Sequence, residues 1–232
     1  MSGAGPGEGA VDLAAAARLA EGIAARAAEV RGRIEARADR EVTLVCVTKA
    51  HPPEVAAAAV LAGLGDLGEN YAQELRDKAR LIPPPDGVRW HFIGRLQTNK
   101  VRMVAPVVSL WQSVDRGSLA DEVAKRAPGA AVLVQLDLAG LPERGGCPPP
   151  GAADLVAHCR GLGLDVRGLM GVGPPGDPED ARAGFRLLSS IADELDLPVR
   201  SMGMSHDLDV AVEEGSTMVR VGSALVGPRP PR

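Results

Sequence analysis

Aromatic side chains are almost missing from this chain: two Trp, one Tyr and two Phe among 232 residues. The core must therefore be built from Ala, Val, Leu and Gly, although 45% hydrophobic content is ample for a sizeable one. Cysteine is scarce too. Cys46, Cys147 and Cys159 form no CxxC pair and leave one thiol over if two were bridged. That argues against a disulfide framework or a zinc site and suits a reducing, cytoplasmic setting. No apolar run reaches the ~20 residues that span a bilayer, which excludes a membrane-crossing helix. The net charge is −4, without the basic surplus that marks a nucleic-acid binder. No GxGxxG follows the first apolar run, and no GxxxxGK followed by Ser or Thr occurs, so the glycine-rich nucleotide loops are missing. Residues 1–10 carry no basic segment ahead of an apolar one and read as a disordered leader, not a signal peptide. Residues 229–232 read as a disordered Pro/Arg tail.

What is present is a regular alternation. From Val11 to about Asp39, Leu13, Leu19, Ile23 and Ile34 recur among alanines, and Arg26, Arg31, Arg33 and Arg37 interleave with Glu29 and Glu35. This predicts an amphipathic helix with a solvated charged face. Eight strands are predicted after it: Val42–Thr48, Leu64–Gly68, Val88–Ile93, Val108–Val114, Ala131–Asp137, Asp165–Gly171, Val199–Gly203 and Thr217–Val221. A helical pattern follows each of the first seven, and only the short Ser223–Val226 follows the eighth. Eight right-handed βαβ units in ~200–250 residues give a single (β/α)8 TIM barrel, an α/β fold with an extra N-terminal helix, over residues 11–228. A doubly wound open sheet is the alternative, but eight units would make it unusually wide. The Pro-rich stretches Pro83–Asp86, Leu141–Pro150 and Gly173–Pro178 fall between elements as loops. Cys46 sits inside the first strand, where a small core hydrophobe fits better than a reactive thiol.

In such a barrel the carboxyl ends of the strands share one mouth. The first strand ends at Lys49, whose amine can form a Schiff base with an aldehyde held in place by other groups. The seventh ends in Gly203-Met204-Ser205-His206-Asp207 and the eighth in Arg220-Val221-Gly222-Ser223. Barrels commonly bind phosphate at these two ends. Ser205 and Ser223 offer hydroxyls there, and Gly222 lets a phosphate approach the backbone closely. The plainer alternative makes Ser205 a helix cap and Gly222 a tight turn. A phosphate cup facing a lysine suits a ligand with phosphate at one end and aldehyde at the other, the shape of pyridoxal 5′-phosphate. Arg220 could then face the pyridine nitrogen, where it can only donate; a strand-end salt bridge is its other reading.

The segments Val47-Thr48-Lys49, Gly68-Glu69-Asn70-Tyr71-Ala72-Gln73-Glu74 and Trp90-His91-Phe92-Ile93-Gly94-Arg95-Leu96-Gln97-Thr98-Asn99-Lys100 carry a family resemblance. So do Arg167-Gly168-Leu169-Met170, Gly203-Met204-Ser205-His206-Asp207 and Gly215-Ser216-Thr217-Met218-Val219-Arg220-Val221-Gly222-Ser223-Ala224. In this order, over residues ~40–228, the chain resembles the YggS/PROSC family of pyridoxal phosphate homeostasis proteins, whose barrel is shared with the N-terminal domain of alanine racemase. The resemblance implies that Lys49 holds the cofactor as an aldimine, that Arg220 faces the ring nitrogen, and that Ser205, Gly222 and Ser223 bind the phosphate. It places Asn70, His91 and Met204 around the ring. Thr48 and Ser223 depart from the family's commoner Ser and Thr but keep their hydroxyls; the loop with Arg144-Gly145-Gly146 departs more.

The function expected is cytoplasmic carriage and homeostasis of pyridoxal 5′-phosphate by a monomer without turnover of its own, in transient contact with apoenzymes that use the cofactor. Racemases of this barrel need a second base on the opposite face of the ring, supplied by a further domain, and only Ala224–Arg232 follow the eighth strand here. Two other readings stay open. One is a single-domain racemase with His91 or Tyr71 as second base; the other is a Schiff-base aldolase for a sugar phosphate. Tyr71 is expected to serve packing, and Lys100 to be a solvated or phosphate-adjacent cation.

Overall fold

A computed structural model describes residues 10–82, 87–141 and 144–229. The expected disordered leader, the Pro83–Asp86 loop and most of the tail fall outside these residues. Eight parallel strands, each paired with the next and the last with the first, close a barrel. They are β1 (Thr43–Val47), β2 (Asp66–Glu69), β3 (Arg89–Phe92), β4 (Val108–Val114), β5 (Ala131–Leu136), β6 (Asp165–Gly171), β7 (Val199–Ser201) and β8 (Met218–Val221). The helices between them are α2 (Pro53–Leu61), α3 (Ala72–Leu81), α4 (Val101–Val104), α5 (Gly117–Arg126), α6 (Ala152–Gly161), α7 (Arg182–Glu194) and α8 (Leu208–Glu213); α1 (Leu13–Glu35) precedes the barrel and α9 (Ser223–Val226) ends it. The expected fold is the observed one. The open-sheet alternative fails on the β1–β8 pairing, where Thr43 lies level with Met218 and Cys46 with Val221.

Helix α1 starts where the Asp12 carboxylate accepts the Ala15 N–H, a side-chain N-cap. Its buried residues Ala16, Ile23, Ala27, Val30 and Ile34 recur at helical spacing and pack it onto the barrel wall. The charged flank of this stripe is not simply solvated. Arg33 and Arg37 pair with Asp209 of α8, and Arg37 with Glu213 as well, while the Arg26 guanidinium donates to the Leu225 carbonyl in α9. The first helix is thereby tied to the last two.

Strand side chains alternate between the barrel interior and the layer beneath the helices. Val45, Leu110, Leu133, Met170 and Met218 form an apolar plug inside, whereas Leu44, Cys46, Leu67, Val132, Leu169 and Val219 join the outer core. Cys46 is fully buried, and burial pushes its thiol up to about 12, as befits a core hydrophobe.

A polar row also threads the interior. Arg220 donates to Ser201 Oγ at 2.6 Å, and Ser201 donates to Gln112 Oε1 at 2.6 Å. The Gln112 amide meets His91 Nδ1 at 2.7 Å, and His91 Nε2 meets Asp66 Oδ1 at 2.9 Å. Asp66 also receives two bonds from Arg89. This order gives each side chain in the row at least one hydrogen-bond partner, which is what buried polar groups require.

Candidate functional site

The carboxyl ends of the strands open on a cavity of about 510 Å³. Seven of the expected site residues line it: Lys49, Asn70, Met204, Ser205, Arg220, Gly222 and Ser223. The eighth, His91, does not. It lies level with Gly68 and Leu110 inside the barrel, two residues short of the cavity-lining Ile93, and its ring is committed to Asp66 and Gln112. The structure thus brings seven of the eight together at the cavity and leaves His91 below it, where Ile93 and Gly94 of the following turn form the wall.

Lys49 is delivered by a turn at the end of β1, in which His51 N–H returns to the Thr48 carbonyl. Ala50 closes that turn at φ 61°, a left-handed conformation that costs a non-glycine residue about 1 kcal/mol. Burial, reinforced by repulsion from Arg229 and Arg220, lowers the Lys49 pKa below the ordinary lysine value. More of its amine is then neutral and nucleophilic.

Across the mouth, the Ser205 hydroxyl accepts the Ala224 N–H at 3.3 Å, joining the loop after β7 to α9. Ser205 is thus no cap for α8: Asp207 holds that position, and its carboxylate accepts the Met204 N–H at 2.6 Å. Gly203, at φ 94°, makes the preceding bend, where an added Cβ would sit 2.5 Å from Ala211 Cβ. Arg220 is buried and forms no salt bridge among the described residues. Its guanidinium donates to Ser201 Oγ and, at 2.8 Å, to the Gly171 carbonyl. Burial brings its pKa down to about 10, so it stays a cation at neutral pH.

Residues not singled out from the sequence complete the lining, among them His51, Arg95, Arg144, His206 and Arg229. Arg95 lies within the quoted WHFIGRLQTNK segment, and Arg144 belongs to the loop whose role was left open. Among the described residues, five lining side chains are Lys or Arg and none is Asp or Glu, in a chain whose net charge is −4. Gly94 lets the chain after β3 pass Asn70, since a Cβ there would stand 2.2 Å from the Asn70 carbonyl oxygen. A second cavity of about 650 Å³, lined by Tyr71, Gln97, Lys100 and Arg116, shares Asn70 and Arg95 with the first. Tyr71 is exposed there, not packed as expected.

Among the described residues, no cluster of His, Cys, Asp and Glu suits a metal ion, and no helix is long and apolar enough to cross a membrane. The family model for the alanine racemase N-terminal domain matches residues 25–230. A pyridoxal phosphate homeostasis protein of Aquifex aeolicus is 41% identical over 205 residues, covering 83% of this chain and 90% of that one. This chain belongs to that family. A further member, from Pseudomonas aeruginosa, is 38% identical over 91% of this chain and 96% of its own. The structure of PipY from Synechococcus elongatus with pyridoxal phosphate bound superposes with a TM-score of 0.76 at 32% identity, covering 88% of this chain and all of PipY. An alanine racemase from Clostridium difficile shares the fold, with a TM-score of 0.69 at 16% identity.

Proposed function

We propose that this cavity binds pyridoxal 5′-phosphate, with the phosphate at Ser205, Gly222 and Ser223, the ring between Asn70 and Met204, and the aldehyde joined to Lys49. The observation that carries this reading is Lys49, its pKa lowered by burial, in a cavity whose described lining holds five cations and no carboxylate. The residues fit the group. Hydroxyls and a glycine face the place for a phosphate, and no carboxylate of the described residues lines the cavity opposite. When bound, the cofactor supplies an aldehyde and an electron-withdrawing ring. The neutral Lys49 amine attacks the aldehyde carbon; a C=N bond forms and one water leaves. Arg220 has only N–H groups to offer, so a ring nitrogen facing it stays unprotonated and the ring withdraws electrons weakly.

A weak electron sink suits holding more than turnover. Neither His91 nor Tyr71, the two side chains considered as opposing base, lines the cavity. Arg95, His206, Ser223 and Arg229 on its rim are exposed, which leaves a route for exchange with solvent. We read the protein as a monomeric cytoplasmic carrier that keeps the cofactor available and meets apoenzymes transiently. The name shared by its relatives and the cofactor-bound PipY support this reading.

The test is spectroscopic. Mixed with pyridoxal 5′-phosphate, the protein should turn yellow, and borohydride should abolish the band and leave an adduct that mass spectrometry locates on Lys49. Lys49→Ala should lose band and adduct together. An adduct that persists in that variant removes Lys49 from the role. Racemisation of any amino acid well above the rate of free cofactor overturns the carrier reading.

A further inference from the structure

Behind the cavity wall lies a buried charged cluster that the proposed function does not use. Lys78 of α3 is buried, and its ammonium donates to Glu69 Oε1 at 2.6 Å and to the Thr48 carbonyl at 2.7 Å. Thr48 Oγ1 donates to the same Glu69 oxygen at 2.7 Å. One turn earlier on α3, Glu74 lies 3.6 Å from Lys78 and accepts the Ala50 N–H at 2.8 Å. Glu69 is fully buried, and its second oxygen has no partner among the described residues.

Such a cluster is a poor stabiliser, because burying the ions costs about as much as their attraction returns. What it touches is specific. Its contacts fall on the residues just before and just after Lys49. Ala50 is one of only two non-glycine residues at positive φ among those described, and strained backbone of this kind persists only where surrounding contacts impose it.

We propose that Glu74 and Lys78 are positioning residues that grip the Thr48–Ala50 turn from both sides and aim the Lys49 amine into the cavity. Helix α3 is then the rigid element on which the lysine is mounted. This rests on the reading of Lys49 as the residue that captures the aldehyde.

The test separates capture from binding. Pyridoxine 5′-phosphate, which has the phosphate and ring but no aldehyde, measures non-covalent affinity; growth of the absorbance band with pyridoxal 5′-phosphate measures capture. Glu74→Ala and Lys78→Met should keep pyridoxine 5′-phosphate affinity within about twofold of wild type while capture slows ten- to a hundredfold, roughly the effect of displacing a reacting group by 1 Å. Glu74→Gln keeps an oxygen for the Ala50 N–H and should capture within about threefold of wild type. Capture at the wild-type rate in Glu74→Ala overturns the proposal, and so does an equal loss of affinity and capture. Should Lys78→Met unfold by stranding Glu69, the half-buried Glu74 decides alone. A wild-type chain that binds pyridoxine 5′-phosphate but never captures the aldehyde sinks the role of Lys49 instead. Amide exchange at Ala50 then still tests the grip: at least tenfold faster exchange in Glu74→Ala supports it, and unchanged exchange overturns it.

Discussion

The basicity of Lys49 is set by its surroundings. Burial is the largest influence on its pKa, Arg229 and Arg220 follow, and Glu69 and Glu74 oppose them. The pH profile of aldehyde capture should therefore rise with pH and level off below 10.5, the ordinary lysine value. Arg229 stands on the exposed rim, so Arg229→Ala should move that midpoint upward without abolishing capture. A midpoint at the ordinary lysine value in the wild type would mean that the cavity does not tune the amine. Arg220 tells a related story from inside the barrel. At a pKa of about 10 it remains charged through the physiological range, so the donor it presents to the cavity is constant.

At the scale of elements, α1 separates what looks important from what carries energy. The pairs of Arg33 and Arg37 with Asp209 leave roughly a third of each side chain exposed, and exposed pairs contribute about 0–1 kcal/mol each. Ile23, by contrast, is 2% exposed in the outer core. Ile23→Ala should destabilise the protein by about 2–5 kcal/mol, and the double change Arg33→Ala, Arg37→Ala by no more than about 2, as denaturant unfolding would show. Apolar periodicity made this helix and the eight strands legible in the sequence, to within a residue or two at most ends. Strand depth was not legible. The resemblance put His91 among the mouth residues, but how high β3 rises toward the mouth depends on the stagger of the closed barrel. Lys49, Ser205, Arg220 and Gly222 were readable because each sits where a strand meets its following loop. Arg144 and Arg229 were not, since their places depend on loop paths that no period encodes. The grip of Glu74 and Lys78 was hidden too: their i, i+4 spacing reads as an ordinary surface pair on a helix.

For the whole molecule, the polar row joins the two faces of the barrel. Burial pushes the Asp66 carboxyl up, but hydrogen bonds from His91 and Arg89 outweigh it and bring its pKa down to about 2 from an ordinary 3.8. A carboxylate with a depressed folded-state pKa adds stability that is fully present above its unfolded pKa and is lost as the pH falls through the folded one. The contribution of Asp66, about 2 kcal/mol, should thus hold above pH ~4 and fade toward pH 2. Asp66→Asn should lower the melting temperature at pH 7, and the gap to wild type should narrow across that acid window. A gap that stays constant would show that ionisation of Asp66 is not what holds the row.

The row has one more property. Arg220 can only give hydrogens and ionised Asp66 can only take them, so every link between them leans the same way, from the cavity toward the opposite face. With Ser201 donating to Gln112 Oε1, the Gln112 amide N–H is the group left to face His91 Nδ1, and His91 Nε2 the one that faces the Asp66 carboxylate. The floor of the cavity therefore has no proton vacancy. A group resting on Arg220 would meet a surface that can lend it a hydrogen bond but offers no lone pair to receive a proton.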